Sequence, residues 1–335
     1  MITAILARRR ILLAKKSGGA PDMVLLINSS NTGDFSVTTN YGTFTAVKVS
    51  DYPYFGTTVT HKLSISNVTF STGQRLSDDS AVRGLFVGVE SWGSSNTYTN
   101  TSNLFYGCTS LRSIPASWAG LGAVISANSM LRDCTSLTII PASWEGLETV
   151  TSAKNMFQGC TPLTNIPASW TGLVALTDAD SMFRDCTSLT IIPTSWTGLG
   201  ALTYSSSMFQ GCTSLTNIPA LWTGLANVTS ASSMFYGCTS LMSIPTSWAG
   251  LVALNNTYQM FRGCTSITSC GTIFTGLAAA FNVSSLFYGC TGMQGDINAL
   301  YVYLSTKPFP VQYYSACFRD CTQAVGYDLI PASWK

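Results

Sequence analysis

Residues 208–225 read MFQGCTSLTNIPALWTGL, and close copies of this stretch recur along most of the chain. Its cysteine belongs to a series spaced by 26 residues: Cys108, Cys134, Cys160, Cys186, Cys212, Cys238, Cys264 and Cys290. A ninth, Cys321, follows after 31 residues. Counting from each cysteine, position −4 is usually Met, −3 is Phe or Leu, +3 is Leu or Ile267, +6 is Ile, +10 is Trp and +13 is Leu. A fixed period of this length marks a repeat architecture. One short unit cannot bury its apolar face alone, and stacking joins those faces into a continuous core.

The pattern predicts a repeat solenoid over residues 104–335, with one short parallel strand per coil at Leu-x-x-Ile. Proline follows that strand and has no N–H to give to a ladder. The glycine before each cysteine is expected to have a positive φ. Asp133, Asp185 and Asp320 replace it in three copies, and Asp is among the few residues that tolerate this conformation. At a strand spacing of about 4.8 Å, nine coils make a rod on the order of 40 Å long. Arg132 and Arg184 open the same RDCTSLTII, and Gln158 and Gln210 open near-identical QGCT stretches. Duplication of a two-repeat pair accounts for this alternation.

The unit M-F-x-G-C-T-S-L-x-x-I-P resembles the 26-residue leucine-rich-type repeat of bacterial surface proteins, the BspA-like group. The resemblance covers about two thirds of the chain in nine register-matched copies. It implies a curved, leucine-rich-repeat-like solenoid and a role in adhesion or recognition, with no shared catalytic residues. This chain departs from the group in its recurring P-x-S-W.

Residues 21–98 do not follow the repeat. MVLLIN, DFSVTTN, GTFTAVKVS, THKLSIS and GLFVGVE read as strands separated by turn residues, so a small β-rich domain is expected to precede and cap the first coil. Residues 1–20 form a basic arm, with Arg8, Arg9, Arg10, Lys15 and Lys16 and no acidic residue in its first sixteen positions. The arm is a candidate attachment segment, either docking into a larger assembly or meeting an anionic surface. It reads poorly as a signal peptide, because its charges interrupt the apolar run. After Cys290 the register slips, and residues 296–306 suggest a short helix. No polar cap is visible at the last coil, so another chain is expected to cover it.

Composition narrows the function. Hydrophobic residues make up 46 % and charged residues only 10 %, against about 25 % charged in an ordinary soluble domain. The surface is neutral and hydroxyl-rich. A net charge of +2 argues against specific nucleic-acid recognition. No apolar run is long enough for a transmembrane helix. Enzyme chemistry is not expected. His61 is the only histidine, no nucleophile elbow, phosphate loop or zinc-protease motif occurs, and Asp178 with Asp180 reads as surface. No cofactor is expected. All eleven cysteines fall on inward positions, with Cys270 in the Ile slot and Cys317 in the Met slot. They read as buried thiols rather than metal ligands or disulfides.

Two conspicuous rows remain. Trp118, Trp144, Trp170, Trp196, Trp222 and Trp248 either fill the coil or stack on sugar rings. Replacement by Phe274 and Leu300 favours filling. Position −2 reads Tyr106, Arg132, Gln158, Arg184, Gln210, Tyr236, Arg262, Tyr288 and Arg319. It is large, polar and varied where its neighbours are uniform. This row is the candidate binding stripe, since Tyr and Arg are common interface anchors, although a solvated ridge has the same pattern. A second varied row runs through Arg112, Thr138, Thr164, Thr190, Thr216, Met242 and Thr268, beside Ile139, Asn165, Ile191 and Asn217.

These features suggest a non-enzymatic surface or structural protein. The first setting is a phage virion component, such as a tail-fibre, receptor-binding or capsid-decorating protein made in the host cytoplasm. It would meet other virion proteins or a host-surface protein or glycan, within a larger assembly or a homo-oligomer. The alternatives are a bacterial cell-surface adhesin and a structural spacer without a specific ligand.

Overall fold

The computed structural model describes residues 23–29, 35–39, 42–48, 59–65, 83–84, 86–92, 99–116, 122–141, 147–167, 173–193, 199–219, 225–245, 253–270, 280–306 and 311–335. The basic arm, including Arg8, Arg9, Arg10, Lys15 and Lys16, lies outside the described residues. So do Phe274 and all six tryptophans of the +10 row.

The repeat is built on a period of three. Around Cys186 the buried residues are Leu176, Ala179, Met182, Phe183, Cys186, Leu189 and Ile192. That spacing matches neither the two-residue period of a strand nor the 3.6 of a helix. It suits successive tight turns closed by bonds over three residues. Met182 N–H donates to the Ala179 carbonyl (3.1 Å), Cys186 to Phe183 (3.1 Å) and Leu189 to Cys186 (3.0 Å). Met182, Cys186 and Leu189 thus each tie back to the buried residue three places before, and the chain folds around its own apolar corners.

The alternate N–H groups point to the next repeat. Ala179, Ser181, Phe183 and Asp185 donate to the carbonyls of Tyr204, Ser206, Met208 and Gln210 at 2.7–2.9 Å. Positive φ occurs at −1, on Gly107, Gly159, Gly211, Gly237, Gly263 and Gly289 and on Asp133, Asp185 and Asp320. It also occurs at −5, from Asn103 and Ser129 to Ala316, which the cysteine register did not suggest.

Parallel pairing is most regular at a different place from the expected Leu-x-x-Ile strand. Bridges join Asn100, Ser126, Ser152, Asp178, Tyr204, Ser230, Asn256, Asn282 and Tyr313 in sequence, each at position −8. Within the Leu-x-x-Ile segments of the repeats, Asn165–Ile191 is the one such bridge among the described residues. The proline that follows each Ile removes a donor, which leaves this side held by a sparser set of bonds such as Thr190 N–H to the Thr164 carbonyl.

The core is a set of ladders. Phe157, Phe183, Phe209, Phe235, Phe261 and Phe287 stack face to face, with centroids 5.3–5.7 Å apart and interplanar angles of 3–7°. Phe318 continues the stack at 6.1 Å, and Trp334 closes it 6.2 Å beyond. Phe318 N–H donates to the Trp334 carbonyl at 2.9 Å, so Trp334 takes the place that the next repeat's Met fills elsewhere. Tyr314 stacks on Trp334 at 4.6 Å and Tyr301 meets its edge at 5.2 Å. At this end, where the sequence suggests another chain as cover, the last turn folds back over the phenylalanine stack.

Helix α1 (Ile297–Thr306) occupies the slipped register after Cys290. Asp296 Oδ1 accepts the N–H groups of Asn298 and Ala299, capping the helix, and Ile297, Leu300 and Leu304 are buried.

Strands β1 (Met23–Ser29), β2 (Phe35–Thr39), β3 (Gly42–Lys48), β4 (Val59–Ile65) and β5 (Phe86–Trp92) form one antiparallel sheet in the order β2-β3-β4-β1-β5. Its edge strand β5 meets the first repeat. Val89 N–H donates to the Ser113 carbonyl (3.0 Å) and Arg112 N–H to that of Val87 (2.8 Å).

Candidate functional site

The thiols are structural. All eleven cysteines are buried and none is bonded to another. In the main row each Sγ–H from Cys134 onward donates to the carbonyl of residue −3 in the preceding repeat, as from Cys186 to Phe157 (3.2 Å) and Cys264 to Phe235 (3.0 Å). That carbonyl also accepts an N–H within its own repeat, as Phe157 does from Cys160. The thiol thus supplies the second lone pair's partner. Burial pushes the thiols of Cys160 and Cys264 up to about 12. Burial raises Cys108 to about 12 as well, against an opposing pull from Arg83. Such thiols are poor nucleophiles at neutral pH. Among the described residues no three of His, Cys, Asp and Glu are gathered as a metal ion requires.

Asp178 and Asp180 are held in the face of the −8 row rather than standing free. Lys154 Nζ lies 2.8 Å from Asp178, and Asp180 Oδ1 accepts the Ser206 N–H at 2.7 Å. Burial, then the neighbouring Asp178, raises the Asp180 carboxyl above its ordinary range.

The −2 row is more recessed than the exposed stripe expected of it. Tyr106, Arg132, Gln158, Arg184, Gln210, Tyr236, Arg262 and Tyr288 are half-buried, and Arg319 alone is exposed. Part of the row stacks on itself. Arg132 lies over Tyr106 (5.4 Å). Arg262 sits between Tyr236 (5.6 Å) and Tyr288 (4.3 Å), and Arg319 lies over Tyr288 (5.4 Å). The row is continuous, as its register requires, but it divides into two electrostatic halves. Arg132 pairs with Asp133 at 3.5 Å and Arg184 with Asp185 at 3.4 Å. Arg262 is followed by Gly263 and has no carboxylate at ion-pair distance among the described residues.

The second varied row is the more exposed one. Ile139, Ile191 and Met242 stand more than half exposed there. Another set of exposed aromatics was missed in the sequence: Tyr204, Tyr258, Phe281 and Tyr313, all near the bridged −8 row. The available signal was their replacement of Ser, Asn or Thr at fixed positions, which the cysteine-centred register obscured.

A family model described as "Mycoplasma protein of unknown function, DUF285" matches residues 79–196, 177–274 and 205–315, which together span 79–315. The chain belongs to the DUF285 family. DUF285 is a repeat family loosely related to the BspA-like repeats and consistent with a surface protein. Its matches begin just before β5 and run through the Phe and Cys ladders into α1. No curated protein and no solved structure matches the chain.

Proposed function

We propose that this DUF285 chain is a non-enzymatic surface-recognition protein whose repeats form a leucine-rich-repeat-like solenoid. The observation that carries the reading is a division of labour within each repeat. Positions −4, −3, 0 and +3 are uniform and buried, whereas the large, varied side chains gather at −2 and on the +4/+5 row. Variation confined to outward rows suits a scaffold that presents different side chains on one frame. The eleven buried thiols, raised in pKa, favour a structural role for the residues best suited to chemistry.

The proposed setting is a phage particle or a bacterial cell surface. Eleven unbonded thiols favour folding in a reducing cytoplasm, which suits a virion component that reaches the exterior by lysis. Immunoblotting of purified particles and of fractionated cells separates the two settings. The recognition reading itself is tested with fluorescent full-length protein on candidate host cells. Replacing Tyr106, Arg132, Arg184, Tyr236, Arg262 and Tyr288 by Ala is expected to abolish binding while leaving the melting profile cooperative. Undiminished binding by that variant would overturn the stripe as the binding surface, and absence of specific binding by the parent would favour a spacer instead.

A further inference from the structure

We propose that the Tyr236–Arg262–Tyr288 segment of the −2 row is a binding site for a carboxylated saccharide. The inference rests on the recognition reading above and narrows it to one ligand chemistry and one part of the stripe.

The two halves of the row serve as each other's control. In the first half every arginine has a carboxylate of its own, from Asp133 and Asp185. Those carboxylates also fill space. A Cβ built on Gly159 would collide with Asp133 Oδ1, and one on Gly211 with Asp185 Oδ1. The surface beside Arg132 and Arg184 is thus neutralised and occupied by the protein itself.

In the second half Gly237, Gly263 and Gly289 follow one another at −1, and no acid replaces them. A Cβ on Gly237 would meet nothing within 4 Å. On Gly263 and Gly289 it would meet only the preceding glycine, at 3.9 and 3.8 Å. Beside this strip of bare backbone stands Arg262, fixed between two tyrosine rings. Stacking on its faces leaves the edge of a guanidinium plane, with its N–H donors, for a planar acceptor, and a carboxylate matches that fork. Exposed Thr239, Thr265 and Thr291 run along the far side of the strip and offer hydroxyls. Arg262, with Arg319 over the same Tyr288 ring, a hydroxyl border and an open floor suit an acidic sugar. An acidic peptide in extended form would need a paired strand edge, and the −1 N–H groups here are already bonded to the following repeat.

The test uses the full chain with oligogalacturonate as probe, its methyl ester as neutral control and oligoglutamate of equal charge as peptide control. Calorimetry is expected to show binding of oligogalacturonate, at least tenfold weaker binding of the ester and weaker binding of oligoglutamate. Arg262→Gln should reduce affinity at least tenfold, and Lys154→Gln, which removes a cation outside the stripe, should leave it unchanged. Gly263→Asp is the decisive variant. It gives Arg262 the partner that Arg132 already has, in a backbone conformation that Asp133 adopts (φ 58° against 70°), and Gly289 leaves the next position open. Binding should be lost while the thermal transition stays cooperative. The proposal is overturned if Gly263→Asp or Arg262→Gln binds as the parent does, if Lys154→Gln is equally damaging, or if the ester or the peptide binds as tightly. It is overturned equally if the parent does not bind oligogalacturonate. Cell binding that survives Arg262→Gln would refute this site while leaving the recognition reading intact.

Discussion

The residue before each cysteine sets a local rule for which repeats can be neighbours. Asp133 and Asp185 lean over the −1 position of the following repeat, where the structure has Gly159 and Gly211. Both glycines also have φ of +73°, so an alanine there pays twice. Gly159→Ala is expected to lower stability by about 2–4 kcal/mol through backbone strain and the clash with Asp133. Gly237→Ala has the same strain but open space around it, and is expected to cost only about 1–2 kcal/mol. Urea unfolding of both, together with Asp133→Gly/Gly159→Ala, measures the coupling. The double variant should recover the difference, and strict additivity would show that the carboxylate does not occupy that space. This rule also gives the two-repeat alternation a physical reason, since an Asp repeat is followed by a Gly repeat. The positive φ at −1 was legible from Gly and Asp. The second one at −5 was not, because Ser, Asn, Gln and Ala occupy it and only Asn advertises that conformation.

At the scale of the element, the thiol ladder makes stability depend on alkaline pH. A thiol of the unfolded chain ionises near its ordinary value of 9.0, whereas burial holds Cys108, Cys160, Cys264 and Cys321 near 12. Below 9.0 both states keep the proton and the folded state retains its full margin. Between 9.0 and 12 only the unfolded chain loses protons, so stability falls as pH rises, by up to about 1.4 kcal/mol per pH unit for each such thiol. Urea midpoints should be flat from neutral pH to about 9 and then drop steeply. A midpoint unchanged well above that pH would contradict the burial of these groups. At neutral pH the native thiols should resist an aromatic disulfide reagent, and all eleven should react after unfolding.

The phenylalanine ladder makes a different prediction, at its end. Trp334→Ala removes the ring that closes the stack on Phe318 and is expected to cost about 3–5 kcal/mol. In a repeat array that loss should stay local. Hydrogen exchange is expected to accelerate over residues 311–330 and remain unchanged over 147–193. Uniform acceleration would mean that the array opens as one unit. The ladder was legible from the repeated Phe at −3. Its terminus was not, because the extra residues before Pro331 hide the return of Trp334 to the core.

Over the whole molecule, the cysteine period marked the length of the unit and its inward side, since a residue fully buried at 26-residue intervals must recur to fill the same place. The path of the chain was less legible. Expecting a strand at Leu-x-x-Ile followed from its apolar residues, yet the three-residue spacing of most of the buried positions favours tight turns. The unbroken row of parallel bridges lies eight residues upstream of the cysteine, among Ser, Asn, Asp and Tyr that carry no apolar signal. The candidate site was legible in position and illegible in detail. Position −2 stood out by its variety, whereas the stacking of Arg262 and the neutralisation of Arg132 depend on what faces each arginine across the repeats.

If the repeats are interchangeable modules joined in a 26-residue register, deleting one whole unit preserves the fold and deleting half a unit does not. Removing residues 161–186 joins Cys160 to Thr187 and puts Gly211 after Gly159, so every ladder closes again. Removing residues 161–173, half a repeat, puts every buried position downstream out of step with those before it. Thermal unfolding followed by circular dichroism is expected to show a cooperative transition for the 26-residue deletion and none for the half-repeat deletion. Loss of the transition in both, or its survival in both, would contradict the register on which this account rests.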